Sequence, residues 1–476
     1  MVKYKWTVLG VTTIGSFMTS LDGSILNIAI PVLSDNLNAS FEIVQWIPIV
    51  YLLVMAVTLI AFGRLSDLHG RKKYFLLGII LFTFSSFLCM LSTSGEMIIV
   101  FRAIQGTGSA FIAAIAASMI TEVFPHQETG KALGIYVASI YLGLVLGPVL
   151  GGLLVQGTGT WRTIFTINLP IGVILIIIGF LKLEQSESKL KDESFDILGT
   201  IAFGIALASF LLSLSLANTF GWISLIILSF IIISVISFIS FIFIETRVKY
   251  PMLNLNLFRK NRIFAAANLA AVINYIATMG VSFLLSIYLQ SILGIFPAIT
   301  AFLLVPTTLT MAVSTLLSGR LSDKIGTRIP CTVGLSIMAV GLFSLVFIIT
   351  YLNIIYIIIS QSVIGFGIGL FSSPNQSAIM KSVEKRDLGI ASGTLSTMRV
   401  IGQSISIALL SAILAIFIPP YVLDSVLSHK TIVITPTIKA SFEMGMHTAF
   451  IVSAIICIFG AIISMVRGKE TIYPKK

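Results

Sequence analysis

Of the nineteen acidic residues in this 476-residue chain, one stands apart from polar sequence. Asp22 lies inside an apolar run, Asp22-Gly-Ser-Ile-Leu-Asn-Ile-Ala-Ile-Pro31. A carboxylate at the centre of a helix in hydrocarbon costs roughly 2.5–3.5 kcal/mol on insertion scales. Loss of water favours the neutral acid. Such a group can therefore bind and release a proton as water access changes. Gly23 and Ser24 leave a second role open, an acid held by a structural hydrogen bond. Arg102 is the one basic residue within the apolar runs of the first half, and it opens Arg102-Ala-Ile-Gln105-Gly106-Thr-Gly108. Gln105 follows three residues later, close to the same helix face. By helical rise, Arg102 lies roughly 7 Å from the outer end of its run and Asp22 roughly 13–16 Å from the end of its own. A long guanidinium side chain can narrow that gap, directly or through water. The other course for Arg102 is to snorkel to the outer interface.

A second group of residues has types suited to a binding pocket. Aromatics with a few polar neighbours suit a bulky apolar ligand. The candidates are Asn27, Tyr51, Tyr136, Tyr141, Asn274, Tyr275 and Met279, each of which can equally be packing. Arg399 opens Arg399-Val-Ile-Gly402-Gln403 and can face a cavity or pair across helices. The four histidines (His69, His126, His429, His447) show no ligand spacing, so no metal site is expected. The three cysteines sit in separate apolar runs and form neither a disulfide framework nor a zinc site. No phosphate loop, zinc-protease motif or nucleophile elbow occurs, so no enzyme and no bound cofactor are expected.

The elements that must carry these residues follow from composition. The chain is 57% hydrophobic and 10% charged, against about 45–50% and about 25% in soluble domains. A soluble enzyme, a disordered chain and a disulfide-stapled secreted domain are excluded. A spanning helix needs roughly 20 apolar residues. Fourteen runs qualify, near 7–33, 45–63, 74–93, 98–122, 132–156, 163–183, 196–217, 222–244, 264–289, 297–319, 330–350, 353–375, 389–418 and 447–467. They lack two-residue alternation, so an all-α integral membrane protein is predicted. Lysine and arginine favour cytoplasmic loops. With both termini cytoplasmic, only Arg162, Lys430 and Lys439 of the 30 basic residues fall in outer segments, and Arg102 and Arg399 fall within spans. The net charge of +11 is thus inner-loop charge, and no nucleic-acid partner is implied.

The chain also repeats itself. Gly63-Arg-Leu-Ser-Asp67-Leu-His-Gly70-Arg71 follows the second run, and Gly319-Arg-Leu-Ser-Asp323-Lys-Ile-Gly326 follows the tenth. Two six-helix repeats with two inserted central helices account for the count. The predicted domains are 1–183, a linker with the inserted spans at 184–263, and 264–476. Internal repeats are how transporters are commonly built. In the fifth run Gly143, Gly147 and Gly151 recur every four residues, a stripe on which helices approach closely. Pro148 should bend that helix.

These motifs resemble the major facilitator superfamily, in its fourteen-span drug:proton antiporter branch. The repeated loop resembles the superfamily's signature between spans 2 and 3. The resemblance implies that Gly63, Asp67, Gly70, Arg71, Gly319 and Asp323 belong to a conformational latch. Leu68 departs from the basic residue usual there. The Asp22 segment and the Arg102–Gln105 motif resemble elements tied to proton coupling in that branch. The Gly143, Gly147, Pro148 and Gly151 string resembles the motif that marks antiporters. Trp161-Arg162 resembles a further motif, with Thr163 at the position of its second aromatic. Trp161 and Arg162 also suit interfacial anchoring. The expected function is proton-coupled export of amphipathic, cationic or neutral small molecules, of multidrug type and driven by the proton gradient. The protein would act as a monomer in the plasma membrane. Uptake by symport, and a non-transporting sensor or lipid-handling scaffold, are the competing readings.

Overall fold

Six of the long helices begin at a side chain that accepts a backbone N–H three residues on: Ser40, Ser94, Asp196, Ser224, Asn261 and Thr435. Such caps satisfy donors that a helix start leaves unpaired. The computed structural model describes residues 2–184, 196–249, 251, 253, 255–351, 354–383, 388–419, 422–423 and 435–468. Residues 185–195 of the expected linker lie outside the described residues, as do Lys385, Arg386, Lys430 and the last residues from 469.

The helices, in chain order, are α1 (Val2–Leu37), α2 (Phe41–His69), α3 (Arg71–Leu91), α4 (Gly95–Val123), α5 (His126–Thr158), α6 (Thr163–Thr166) and α7 (Asn168–Lys182). Then follow α8 (Ile197–Phe220), α9 (Leu225–Arg247), α10 (Leu255–Lys260), α11 (Arg262–Ile287), α12 (Pro297–Ile325) and α13 (Arg328–Tyr351). The last three are α14 (Ile354–Lys381), α15 (Leu388–Phe417) and α16 (Pro436–Val466). Among the described residues, fourteen spans are long and apolar enough to cross a membrane, with α6 and α7 forming one span and a π-helical turn extending α11. This is the architecture expected from the sequence. One boundary differs: the last helix begins at Pro436, well before the predicted run. Thr435 caps it, proline suits its first turn, and Lys439 and Glu443 pair one turn apart at 3.9 Å.

The chain divides into two compact units. One is built from Met1–Leu253 with Leu289–Ala301; the other is chiefly Asn254–Tyr288, Phe302–Leu423 and Ile432–Lys476. The inserted hairpin α8–α9 belongs to the first. Gln45 and Trp46 of α2 donate to Ser215 Oγ of α8, at 2.7 and 2.9 Å. Thr219 of α8 donates to Glu42. Helix α9 packs chiefly on α8 and turns Ile232, Ile236, Ile239 and Phe243 outward, as a lipid-facing helix does.

Both units use the same joint. Gly70 and Gly326 adopt φ of 100° and 82°, where a side chain would be strained, and each donates to the serine four residues back. Ser66 and Ser322 in turn donate to Gly63 and Gly319 carbonyls, at 2.6 and 2.8 Å. The sequence repeat is therefore a structural repeat.

Trp161 and Arg162 pack against the protein itself. Trp161 is fully buried, and Arg162 lies over its ring at 4.6 Å. Arg162 donates to the Met90 and Ser92 carbonyls at 3.0 and 2.7 Å. A helix end in a membrane protein has unpaired carbonyls, and a planar guanidinium satisfies two of them at once.

Helix α4 depends on Gly108, whose added Cβ would stand 2.6 Å from the Phe82 nitrogen and 2.7 Å from the Gly78 oxygen of α3. Gly108→Val should separate α3 from α4 and cost about 1–3 kcal/mol, the usual range for overpacking. Thermal unfolding in detergent should show a lower midpoint; an unchanged midpoint would mean the contact is slack.

Candidate functional site

Asp22 sits mid-way along α1, and side chains of α4 and α7 donate to its carboxylate. Arg102 Nη1 of α4 donates to Asp22 Oδ2 at 2.5 Å and to Gln105 Oε1 at 2.7 Å. Gln105 Nε2 donates to Asp22 Oδ1 at 3.1 Å and to Ser86 Oγ of α3 at 2.7 Å. Asn168 Nδ2, at the first residue of α7, donates to Asp22 Oδ1 at 2.8 Å and to Ser86 Oγ at 3.2 Å. Both charged side chains are 1% exposed. The outward course for Arg102 is therefore not taken. Its guanidinium lies over the Tyr51 ring of α2 at 4.2 Å, and the Tyr51 hydroxyl bonds Ser109 Oγ at 2.6 Å. Ser24, the alternative holder of Asp22, instead donates to the Leu21 and Gly143 carbonyls.

The glycines explain how these side chains meet. A Cβ at Gly106 would stand 2.6 Å from the Tyr51 carbonyl, which brings α2 against α4. Gly108 does the same for α3. At Gly143 an added Cβ would stand 2.7 Å from the Phe17 oxygen, and at Gly151 2.7 Å from Ile25 Cγ1. At Gly147 it would collide with Ser24. The stripe on α5 thus lies on the turns of α1 that carry Asp22. Pro148 lies between two of these contacts.

The chemistry of the cluster follows. Three N–H donors converge on one acid, an arrangement suited to the ionised carboxylate. Neutral Gln105 and Asn168 complete its shell without adding charge, and Ser86 accepts from both. An ion pair this deeply buried is held by geometry, since desolvation offsets most of its Coulombic gain.

The family model of the Major Facilitator Superfamily matches residues 12–407. The chain belongs to this superfamily. Riboflavin transporter RibZ of Clostridioides difficile (strain 630) is 32% identical over 415 residues, 87% of this chain and 89% of that protein. Multidrug resistance protein Stp of Mycobacterium tuberculosis (strain CDC 1551 / Oshkosh) is 30% identical over 417 residues, 87% of this chain and 77% of that one. A crystal structure of a bacterial homologue of the human lysosomal transporter Spinster, inward-facing and occupied, superposes with a TM-score of 0.71 at 15% identity. That superposition covers 98% of this chain and 97% of that one, and it bears on the fold alone. As a superfamily member the chain is a multi-pass membrane transporter of small molecules.

The two repeats of this superfamily fold differ at the cluster. Gly365 of α14 meets the Thr307 carbonyl of α12, as Gly106 meets Tyr51. Gly367 meets Gly334 and Met338 of α13, as Gly108 meets Gly78 and Phe82. One turn before Gly365 stands Gln361, in the place of Arg102, and Ile364 stands in the place of Gln105. Gly402 of α15 meets Val272 and Ile276 of α11, as Gly143 meets Phe17 and Leu21. Ala277 therefore stands where Asp22 does. Gln361 is 1% exposed, and its Nε2 has no hydrogen-bond partner among the described residues. The ionisable pair belongs to the first repeat only.

The other candidates are dispersed. Asn27 and Tyr136 are buried and Tyr141 is half-buried, all in the first unit, while Tyr51 belongs to the Arg102 cluster. In the second unit Asn274 is fully buried, and neither amide atom finds a partner among the described residues. Tyr275 and Met279 are half-buried. At the repeated loop, Arg71 donates to the Ser118 carbonyl at 3.3 Å and to Glu122 at 2.9 Å. The side chains of Asp67 and Asp323 lie outside the described residues. Sequence reading did not single out Ser86 or Asn168. Serine and asparagine are common polar residues, and only the bond of Asn168 to Asp22 and those of Ser86 to Asn168 and Gln105 set these two apart.

Arg102→Ala would leave the Asp22 charge buried without its counter-charge, a loss of about 3–5 kcal/mol. The neutral pair Asp22→Asn with Arg102→Gln should recover much of that. Unfolding midpoints of the three proteins in detergent measure it; equal midpoints for the single and double variants would show that the pair is not coupled.

Proposed function

We propose that this superfamily member is a proton-coupled exporter of amphipathic cationic or neutral small molecules, in the cell membrane with both termini cytoplasmic. The observation that carries the reading is the buried Asp22–Arg102 pair, ringed by neutral donors and confined to one repeat. A proton arriving from outside at Asp22 neutralises the carboxylate. Its ion pair with Arg102 is lost, while Arg102 keeps Gln105 Oε1 and the Tyr51 ring. Helix α1 is thereby released from α4, and the stripe on α5 carries that release along the helix pair. Release of the proton to the cytoplasm restores the pair. Substrate and proton exchange by alternating access as residues 1–183 rock against 264–467. Gly63, Asp67, Gly70, Arg71, Gly319 and Asp323 form the latch of one end state. Asn27, Tyr136, Tyr141, Asn274, Tyr275 and Met279 are the pocket candidates, and Tyr51 links the pocket to the pair. The multidrug name of the Mycobacterium relative and the Gly143–Gly151 string both favour export.

A second reading rests on the riboflavin transporter of Clostridioides difficile. A planar heteroaromatic vitamin would suit the same aromatic candidates, with uptake in place of export. Labelled riboflavin entering intact cells that express the chain would favour it.

The decisive experiment uses inside-out vesicles with an acid interior and the cationic dye ethidium. Wild-type protein should concentrate the dye, an uncoupler should collapse the signal, and Asp22→Asn should abolish it. Accumulation that survives in Asp22→Asn would remove Asp22 as the coupling group.

A further inference from the structure

The two repeated loops are held by arginines that come from different places in the chain. In the first unit the arginine is local. Arg71 follows the joint glycine and reaches Ser118 and Glu122 near the end of α4. In the second unit the repeat puts Thr327 where Arg71 stands and, by the α4–α14 correspondence, Lys381 where Glu122 stands. Neither member of that ion pair has a like counterpart. An arginine arrives nonetheless. Arg467, the residue after α16, is 1% exposed and donates to Thr327 Oγ1 and, at 3.4 Å, to Asn375 Oδ1 of α14. Asn375 Nδ2 passes the contact on to the Ala267 carbonyl of α11 at 3.0 Å. Arg262, at the start of α11, donates to the Val466 carbonyl at 3.0 Å. The backbone nitrogen of Cys331 in α13 donates to the Thr327 carbonyl at 3.2 Å. A guanidinium is rarely buried to this depth without a set of acceptors built for it. Its two acceptors here lie on segments far apart in sequence, the joint before α13 and the last turns of α14.

We infer that Arg467 is a positioning residue that takes the place of the missing loop arginine in the second unit. It clamps the joint before α13 and the end of α14 to the end of α16, and Asn375 carries the contact on to α11. The end of the last helix is then part of the transport device, and the two repeats reach one mechanical result with arginines from opposite ends of their sequence.

The test has one arm that does not depend on any substrate. Cys331 is fully buried, one turn from Thr327. With Cys89→Ser and Cys457→Ser as background, its labelling by N-ethylmaleimide in membranes reports opening of this end. Arg467→Ala should label about tenfold faster, as loss of a charged hydrogen-bond set permits local opening. Arg467→Ala combined with Thr327→Arg and Lys381→Glu, which rebuilds the first unit's pair, should return at least half of the protection. Arg467→Gln serves if the alanine variant does not fold. The second arm rests on the export reading: ethidium transport by Arg467→Ala should lose maximal rate with KM unchanged and regain rate in the triple variant. Wild-type labelling in the single variant would overturn the inference, as would a folded triple variant that stays unprotected. If ethidium is not carried at all, the labelling arm still decides, and only the export reading falls.

Discussion

A charge inside the bilayer must find its partner within the protein. Asp22 is a carboxylate only 1% exposed, and the packing of the first unit is arranged around that fact. Arg102 comes from α4, Gln105 from the next turn, Asn168 from α7 and Ser86 from α3. No single helix pair could supply that shell. The glycines are the means, because side-chain polar groups a few ångströms long can meet only when backbones approach closely. Gly106 and Gly108 bring α2 and α3 to opposite sides of α4, and the α5 stripe seats α1 beside them. Substitution of either glycine would displace hydrogen bonds that it does not itself make.

The comparison of the repeats shows how the same scaffold carries two chemistries. Helix contacts are retained almost residue for residue, from Gly78 and Gly108 in one copy to Gly334 and Gly367 in the other. The polar residues are not retained. Alanine, glutamine and isoleucine occupy the positions of Asp22, Arg102 and Gln105, and at the loop a threonine is served by the distant Arg467. Backbone packing constrains small residues at crossings tightly, and it leaves the neighbouring side chains free to diverge. That is why glycine positions reveal the repeat where the charged residues hide it.

Much of this was legible before any coordinates. Helix number follows from the length of apolar runs, because lipid offers the backbone no hydrogen bonds and forces each span to satisfy itself. Asp22 and Arg102 could be singled out because charge in such runs is rare. Their pairing was less legible, since helical rise left a gap that either a long side chain or an outward course for Arg102 could explain. Trp161 was read as an interface aromatic, which is where tryptophan in a membrane protein most often lies. Its burial follows from Arg162 turning back to cap α3.

By itself the sequence determined the all-helical class, the fourteen spans, the internal repeat and the identity of the isolated charges. Each of these depends on composition or on local periodicity. Only the tertiary structure decided which neutral residues complete the Asp22 shell, that α8 docks on α2, and that Arg467 reaches Thr327. Those contacts join residues between 80 and 170 positions apart. Serine, asparagine and threonine carry no periodic signal, so their partners are set by which helices pack together rather than by anything adjacent in the chain.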